Sequence, residues 1–280
     1  MSPTLARKMW RTLEPYHGMI YFTPHATRAY AALGVTGRAG YFASRAAAMG
    51  PVPAEVVIAT FYNFWPGLVR SAIPGAWDVA APAALLDARL QAADAALREA
   101  LGDDAVASDD MVWAAGAARR AAEGCTAEGR PLYAAHAGLP GPDEPHLALW
   151  HAVTLLREFR GDGHIAALVL EGIDACESLV THGAAGDGVA LGVLRSSRAW
   201  PDDEWDAARG RLRDRGWLDD ADTLTPAGAE ARGRVEQRTD EAAMAPWRHL
   251  GEADADRLRA TVRVWSKSIV ASGVLGGGPS

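Results

Sequence analysis

Four side chains between residues 151 and 164 have the types and spacing that acid–base chemistry needs. His151, Thr154 and Glu158 lie at i, i+3 and i+7, so they share one face of a predicted helix. His164 follows a glycine-bounded turn and would open the next helix, where the helix dipole favours a neutral imidazole. A neutral imidazole beside a carboxylate can act as a base or accept a hydrogen bond from a ligand. We therefore predict Glu158, His164 and His151 as the catalytic, proton-handling residues.

The same segment has a purely structural interpretation, which stays open. Arg157 could clamp a ligand carboxylate or phosphate. It could equally pair with Asp162, and Glu158 with Arg160, as turn-stabilising ion pairs, with His164 only capping the turn.

A second polar cluster lies near the N-terminus, at Glu14, His17, Tyr21 and His25. The last three residues are spaced at i, i+4 and i+8, which would place them on one helix face. Pro24 is expected to interrupt that helix before His25.

The first third of the chain is dense in aromatic residues, at Tyr41, Phe42, Phe61, Tyr62, Phe64, Trp65 and Trp77. Rings with a few polar tips suit a large, flat, apolar ligand. Arg45 and Asn63 lie among them and need partners if they are buried, which a ligand could supply. The predicted ligand shell is Tyr21, His17, Arg45, Tyr62, Asn63, Trp65 and Arg157. The alternative is that these rings form the core of a helical bundle.

Strong signatures of other chemistry are missing from the sequence. No His or Cys pair has zinc-site spacing, and no glycine-rich phosphate loop or nucleophile elbow occurs. We therefore predict no metal and no cofactor. Two distant cysteines, no signal-peptide pattern and no long apolar run predict a cytoplasmic protein without a membrane partner.

Helical periodicity dominates the elements that must position these residues. It predicts helices over 53–61, over 82–101 and from Ser108, as N-cap, to Ala122. A Pro- and Gly-rich stretch around 139–145 predicts a boundary between a helical domain, 1–142, and a second domain, 143–272. Residues 273–280 are expected to be a disordered tail.

The second domain is predicted to begin with a helical hairpin and to continue as a winged helix. Helices 146–160 and 163–181 would be joined by a turn at 161–163, with Asp162 as N-cap of the second. Helices 188–198 and 202–215 follow, then a hairpin with its tip at 219–222, a third helix that opens within 223–228, and a final helix over 253–271. The predicted fold class is all-α, mainly a helical bundle, with a C-terminal winged helix-turn-helix carrying a short β-hairpin.

The charge of this unit argues against DNA. The chain has a net charge of −7, and residues 187–241 hold thirteen acids against nine arginines. The second helix, which would enter the major groove, opens with Asp202, Asp203, Glu204 and Asp206. Duplex DNA repels such a surface because binding requires phosphate neutralisation. The same acids also complement the helix dipole. DNA binding is therefore predicted to be lost, although it is not excluded.

The order of helical hairpin, helix-turn-helix, wing and long last helix resembles MarR-type regulators. That resemblance implies a dimer built by the outer helices and a ligand bound near the interface. The last helix, with Leu258, Val262, Trp265, Ile269 and Val270 along one side, could equally close the core of a monomer.

Segments 14–22, 41–46 and 149–164 are also similar to a family of actinobacterial helix-turn-helix proteins with no assigned activity. The resemblance implies an all-helical N-terminal part fused to a winged helix. It also implies that Trp65 replaces an asparagine that is common in the family, in a region where we predict a pocket.

Together these features predict a protein that binds an aromatic or polyketide-like metabolite on a scaffold that no longer reads DNA. It would sequester the molecule or convert it by cofactor-free acid–base chemistry of an isomerase, lyase or cyclase type. The alternative is a ligand-responsive, MarR-like transcription regulator. A homodimer is a further prediction.

Overall fold

A computed structural model describes residues 1–186 and 190–275, and every structural statement below concerns these residues. Their regular structure is helical. The helices are α1 Thr4–Gly18, α2 Pro24–Ala32, α3 Gly37–Ala46, α4 Ala54–Phe61, α5 Pro66–Ala72, α6 Gly75–Val79, α7 Pro82–Leu101, α8 Asp103–Val106, α9 Asp109–Glu123, α10 Pro131–Ala137, α11 Pro145–Leu170, α12 Ala175–Ala184, α13 Leu191–Arg198, α14 Asp202–Asp214, α15 Pro226–Ala242, α16 Ala245–Leu250 and α17 Glu252–Ala271.

Local capping signals fixed several helices as predicted. α7 has the predicted bounds, with Pro82 in its first turn. α9 begins after Ser108, whose hydroxyl accepts the N–H of Met111 at 3.2 Å. The helix that carries His17 does not reach His25: α1 ends at Gly18, a 3-10 turn follows over Met19–Tyr21, and Pro24 begins α2.

The predicted hairpin around residues 161–163 is wrong, because α11 runs through it without a break. A Cβ on Gly163 would lie 2.7 Å from an Arg130 guanidinium nitrogen and 3.3 Å from Ala242. Asp162 does not cap its own helix; its Oδ2 accepts the N–H groups of Leu132 and Tyr133 at 3.1 and 2.9 Å, at the start of α10. The glycine therefore serves close packing, and the aspartate caps a neighbouring helix.

The predicted β-hairpin wing is reduced to one antiparallel bridge, between Leu218 and Leu224, and no strand forms in the described residues. The carboxylate of Asp219 accepts the N–H groups of Ala221 and Thr223 at 2.9 and 2.8 Å. The side chain thus closes a tight turn next to the bridge, and Thr225 already caps α15. Too few residues remain for a ladder.

One large core unites the N-terminal helices with the C-terminal end of the chain. Leu258, Val262, Trp265 and Ile269 of α17 are buried in it, and the Ser266 hydroxyl donates to the Thr12 carbonyl at 2.7 Å. The last helix therefore helps to close the monomer core. Val270, expected on the buried side, is 57% exposed. The division at 142/143 stays a prediction.

The helix-turn-helix unit has a smaller core of its own. Side chains of α12, α13 and α14 form it around Trp205, with Leu218 beside the bridge. The C-terminal half of α11 and α15 contribute a third cluster, onto which Tyr62 packs. The part of the predicted helix at 188–189 and the tail beyond 275 lie outside the described residues. Among the described helices, none is long and apolar enough to cross a bilayer.

Candidate functional site

Glu158, in the middle of α11, lies at the centre of a buried polar cluster. Its side chain is 1% exposed, and Oε2 accepts from Arg157 Nη1 at 2.7 Å and from Arg45 Nη2 at 3.2 Å. Burial alone would raise the pKa of Glu158, but Arg157 and Arg45 hold it well below its ordinary value. Glu158 is therefore an ionised anchor rather than a proton donor. We call Glu158, Arg157, Arg45, His17, Tyr21, Arg89 and His136 the polar cluster.

His17 links α1 to α11 through a hydrogen-bond chain whose direction the geometry fixes. The Thr154 hydroxyl donates to the Trp150 carbonyl at 2.9 Å, so it must accept from His17 Nδ1 at 3.0 Å. His17 Nε2 is then free to accept from the Tyr21 hydroxyl at 2.7 Å. Burial, and then Arg157, lower the pKa of His17 well below its ordinary value, while burial raises that of Tyr21 to about 12. Both side chains stay neutral near pH 7.

Arg45 and Arg89 are held over aromatic rings. The Arg45 guanidinium lies 4.2 Å from the centre of the Phe61 ring, and Arg45 Nη1 donates to the Tyr41 hydroxyl at 3.3 Å. The Arg89 guanidinium lies 4.9 Å from the Trp150 ring, which stacks on His17. Both arginines are buried.

The polar cluster holds several buried polar atoms without a hydrogen-bond partner in the described protein. They are Arg45 Nε, Arg89 Nε and Nη2, His136 Nε2 and Glu158 Oε1. Leaving such a group unpaired costs about 1–3 kcal/mol. Arg45 and Arg89 are buried and Arg157 is half-buried, whereas Glu158 is the one fully buried carboxylate and Glu14 approaches Arg157 from the edge, so cations are in excess. This concentration of unmatched donors sets the cluster apart from an ordinary core.

Glu14 forms the outer edge of the cluster. Its Oε1 lies 3.8 Å from Arg157 Nε, and its Oε2 accepts from the Trp10 indole at 2.9 Å. Burial raises the pKa of Glu14. A small cavity of about 20 Å³ borders Glu14, Arg157 and Arg160. That is about the space of one water.

Sequence reasoning missed Arg89 and His136. Burial, and then Arg89, lower the pKa of His136 to about 3, and Glu158 raises it in part. A signal for Arg89 exists in the sequence: Leu85, Arg89, Ala93 and Leu97 follow the buried i, i+4 row of α7, so a cation occupies a core position.

The predicted ligand shell divides into two groups. Arg45 and Arg157 pair with Glu158, and His17 bonds both Tyr21 and Thr154, which lies on the same helix as Glu158, so the N-terminal cluster and part of the 151–164 cluster do converge. Tyr62, Asn63 and Trp65 lie elsewhere.

These three residues form a junction with the helix-turn-helix unit. The Tyr62 hydroxyl donates to the Ile173 carbonyl at 2.5 Å, and Asn63 Oδ1 accepts from Arg198 Nε at 3.1 Å. The backbone N–H of Trp65 donates to the backbone carbonyl of Arg198 at 3.0 Å. The protein itself therefore supplies the partner that Asn63 was expected to need from a ligand. Tyr62 has a φ of 59°, a strained conformation for a tyrosine.

The three predicted catalytic residues are not brought together. His164 faces α15, where Nδ1 lies 3.0 Å from the Thr239 hydroxyl. Burial lowers its pKa to about 4, so it is neutral because of desolvation rather than a helix dipole. His151 is half-buried, and its Nε2 has no partner in the described protein. The turn-stabilising ion pairs weighed above are also not formed: Arg160 pairs with Asp240 at 3.3 Å.

The remaining aromatic residues mostly pack on one another. Phe42 stacks on Phe61 with ring centres 6.0 Å apart and meets Phe64 edge-on at 5.0 Å. Tyr41 contacts all three rings. The core interpretation is the correct one for these rings, and the expected aromatic hollow does not form among them.

The arginines of α14 form ion pairs with carboxylates of the protein itself. Arg209 pairs with Asp206 and Asp222, and Arg213 pairs with Asp222 at 2.6 Å. On the other side of the helix, Glu177 accepts from Arg211 at 3.0 Å and from Arg215 at 2.5 Å. These arginines are therefore committed to carboxylates, while Asp202, Asp203, Glu204 and Asp206 stay exposed.

In the described ranges, no group of three or more His, Cys, Asp or Glu side chains is placed to hold a metal ion.

Comparison with known proteins gives one match. The model of a helix-turn-helix family matches residues 6–276. No curated protein and no solved structure matches the chain.

Proposed function

The chain belongs to the helix-turn-helix family, and from that premise we propose that it is a small-molecule-binding protein whose helix-turn-helix no longer reads DNA. The ligand is an aromatic or polyketide-like metabolite with an anionic group. The observation that carries the proposal is the set of unmatched buried polar atoms in the polar cluster.

The chemistry of those atoms defines the ligand. Arg45 and Arg89 offer unmatched N–H donors, so they favour an acceptor such as a carboxylate or phenolate. The excess of cations favours a negative charge. The rings of Phe61 and Trp150 lie against the two guanidinium groups and are themselves buried, so an aromatic ligand would stack there only once the packing around them opens.

Binding without conversion is the mode that these groups support. Glu158 stays ionised because, against the effect of burial, Arg157 and Arg45 hold its pKa well below the ordinary value. His17 and His136 stay neutral because burial lowers their pKa values. A general acid or base works best with a pKa near the operating pH. The polar cluster therefore anchors and orients a ligand.

The alternative, a MarR-like ligand-responsive regulator, is favoured by a specific observation. Arg198, at the end of α13, bonds Asn63 and lies 4.3 Å from the Phe64 ring, which packs on Tyr41 beside Arg45. A ligand that moved Arg45 would thus shift the helix-turn-helix unit through the contacts of Tyr41, Phe64 and Arg198. In this alternative the same site is a sensor.

Thermal unfolding with benzoate as probe tests the proposal. Benzoate is expected to raise the Tm in a saturable way. Arg45→Met and Arg89→Met should each abolish the shift. Arg195→Met is the matched control, since Arg195 also lies over a ring, 5.0 Å from Trp205, but in the helix-turn-helix unit. A shift that survives both cluster variants, or no shift with any aromatic carboxylate, would contradict the proposal.

Fluorescence anisotropy with a labelled duplex at low salt separates the two functions. No binding is expected for the free protein or with benzoate. Binding that benzoate reverses, and that Arg209→Ala weakens, would establish the regulator instead.

A further inference from the structure

A groove between the first and last helices carries a cluster of cationic side chains. It has a volume of about 510 Å³ and runs between α1 and α17. Its cationic lining residues are Lys8, Arg11, Arg259, Arg263 and Lys267. No carboxylate lines it. Both lysines of a chain with net charge −7 lie there, so the groove opposes the overall charge.

These cations are available to a partner. Lys8, Arg11, Arg263 and Lys267 are exposed, and none forms an ion pair within the part of the chain that the structure describes. Arg259 approaches Asp256 at 3.7 Å. The groove thus differs from α14, where each arginine already has a carboxylate.

The spacing of the cations suits a compact anion. Arg259, Arg263 and Lys267 follow at four-residue steps along α17, about 6 Å apart along the helix axis. Lys8 and Arg11 lie one turn apart on the opposite wall. Like charges at this spacing destabilise a helix, so an anion between the walls would relieve the repulsion.

We propose that this groove binds a small molecule that carries at least two phosphate groups. Several negative charges are needed close together, which a diphosphate or triphosphate provides. Arginine forks and lysine point charges are the usual partners of phosphate oxygens. The volume falls in the range of small-molecule sites. Pro15, Val270 and Ala271 offer an apolar patch for the organic part.

Two other occupants fit less well. A single nucleic-acid strand is held by bases stacked on aromatic rings, and no aromatic side chain lines the groove. A second copy of this chain, related by two-fold symmetry through the groove, would set the same cations against each other.

Isothermal titration with inorganic tripolyphosphate, a compact polyphosphate without an organic part, tests the proposal. One saturable site is expected on the full chain. The double variant Arg263→Ala/Lys267→Ala should weaken the affinity by at least about tenfold. The charge-conserving double variant Arg263→Lys/Lys267→Arg should keep the affinity of the unaltered protein. Arg70→Ala/Arg98→Ala is the matched control, because both arginines are exposed and far from the groove in sequence. Circular dichroism checks that each variant folds.

Three results would overturn the proposal: no saturable binding, equal binding by the double variant, or tighter binding of duplex DNA than of tripolyphosphate through these residues. The last result would identify a nucleic-acid surface instead. Benzoate binding at the polar cluster should be unaffected by the groove variants, so failure here is distinguishable from failure of the proposed function.

Discussion

The helix-turn-helix unit and the polar cluster both depend on arginine, but they balance its charge differently. Along α14, four arginines meet carboxylates of α12, of α14 itself and of the bridge turn, at the surface. In the polar cluster, Arg45 and Arg157 pair with the buried Glu158, while donor atoms of the buried Arg45 and Arg89 have no partner in the described protein. Arginines that are already paired with carboxylates have few donors left for a partner, whereas the unpaired donors of the polar cluster are still available. This difference supports our proposal that ligand binding occurs among the N-terminal helices rather than at the helix-turn-helix.

Removing the central carboxylate should have the largest effect. Glu158→Gln is expected to lower the free energy of unfolding by about 3–5 kcal/mol, because Arg45 and Arg157 lose their counter-charge in a buried site. Urea denaturation followed by circular dichroism measures it. The matched change Glu230→Gln, at a 76% exposed side chain paired with Arg234, should cost less than about 0.5 kcal/mol. An equal loss of unfolding free energy in the two variants would contradict the difference between buried and surface ion pairs.

Acid should weaken the protein through the buried imidazoles. The pKa of His136 is lowered from 6.5 to about 3 by burial and Arg89, so the unfolded chain binds a proton that the folded chain does not. Stability from this group is therefore present above pH 6.5 and is lost as the pH falls, by roughly 2 kcal/mol between pH 7 and pH 5. His136→Gln should remove that part of the pH dependence of urea unfolding. The surface change His249→Gln should leave it unaltered. A pH dependence that His136→Gln does not reduce would refute the assignment.

The smallest effect is expected on the surface of α14. Asp222→Asn removes the shared partner of Arg209 and Arg213, yet it should cost less than about 1 kcal/mol because the pairs are partly exposed. The freed arginines should increase anisotropy with duplex DNA at low salt. Thermal unfolding measures the change in stability, and the fluorescence anisotropy assay with labelled duplex measures the change in DNA binding. A loss of several kcal/mol would show that surface pairs and buried pairs contribute alike here.

Local patterns were sufficient for several helices. Pro82, Ser108 and Thr225 act within one turn of themselves, so the bounds or starts of α7, α9 and α15 could be read from the chain. The same local logic failed at Gly161–Asp162–Gly163. Those residues look like a turn, but Arg130 and the free N–H groups of α10 are their real partners.

Half of the candidate site was also within reach of the sequence. His17 and Tyr21 are one helical turn apart, and Thr154 and Glu158 likewise, so each pair could be predicted to share a face. Helix packing decides the rest. It brings the two pairs together with Arg89 and His136, and it places Tyr62, Asn63 and Trp65 against the helix-turn-helix unit instead.

The sequence alone determined that the chain is helical, where several helices begin, and that the second helix of the helix-turn-helix opens with acidic residues, because periodicity, capping and charge are local properties. Only the tertiary structure decided which charges are neutralised and which stay unmatched, since ion pairs such as Arg45–Glu158 join residues 113 positions apart. Burial makes an unmatched donor costly, which is the basis of the proposed ligand site, and burial exists only once the helices pack.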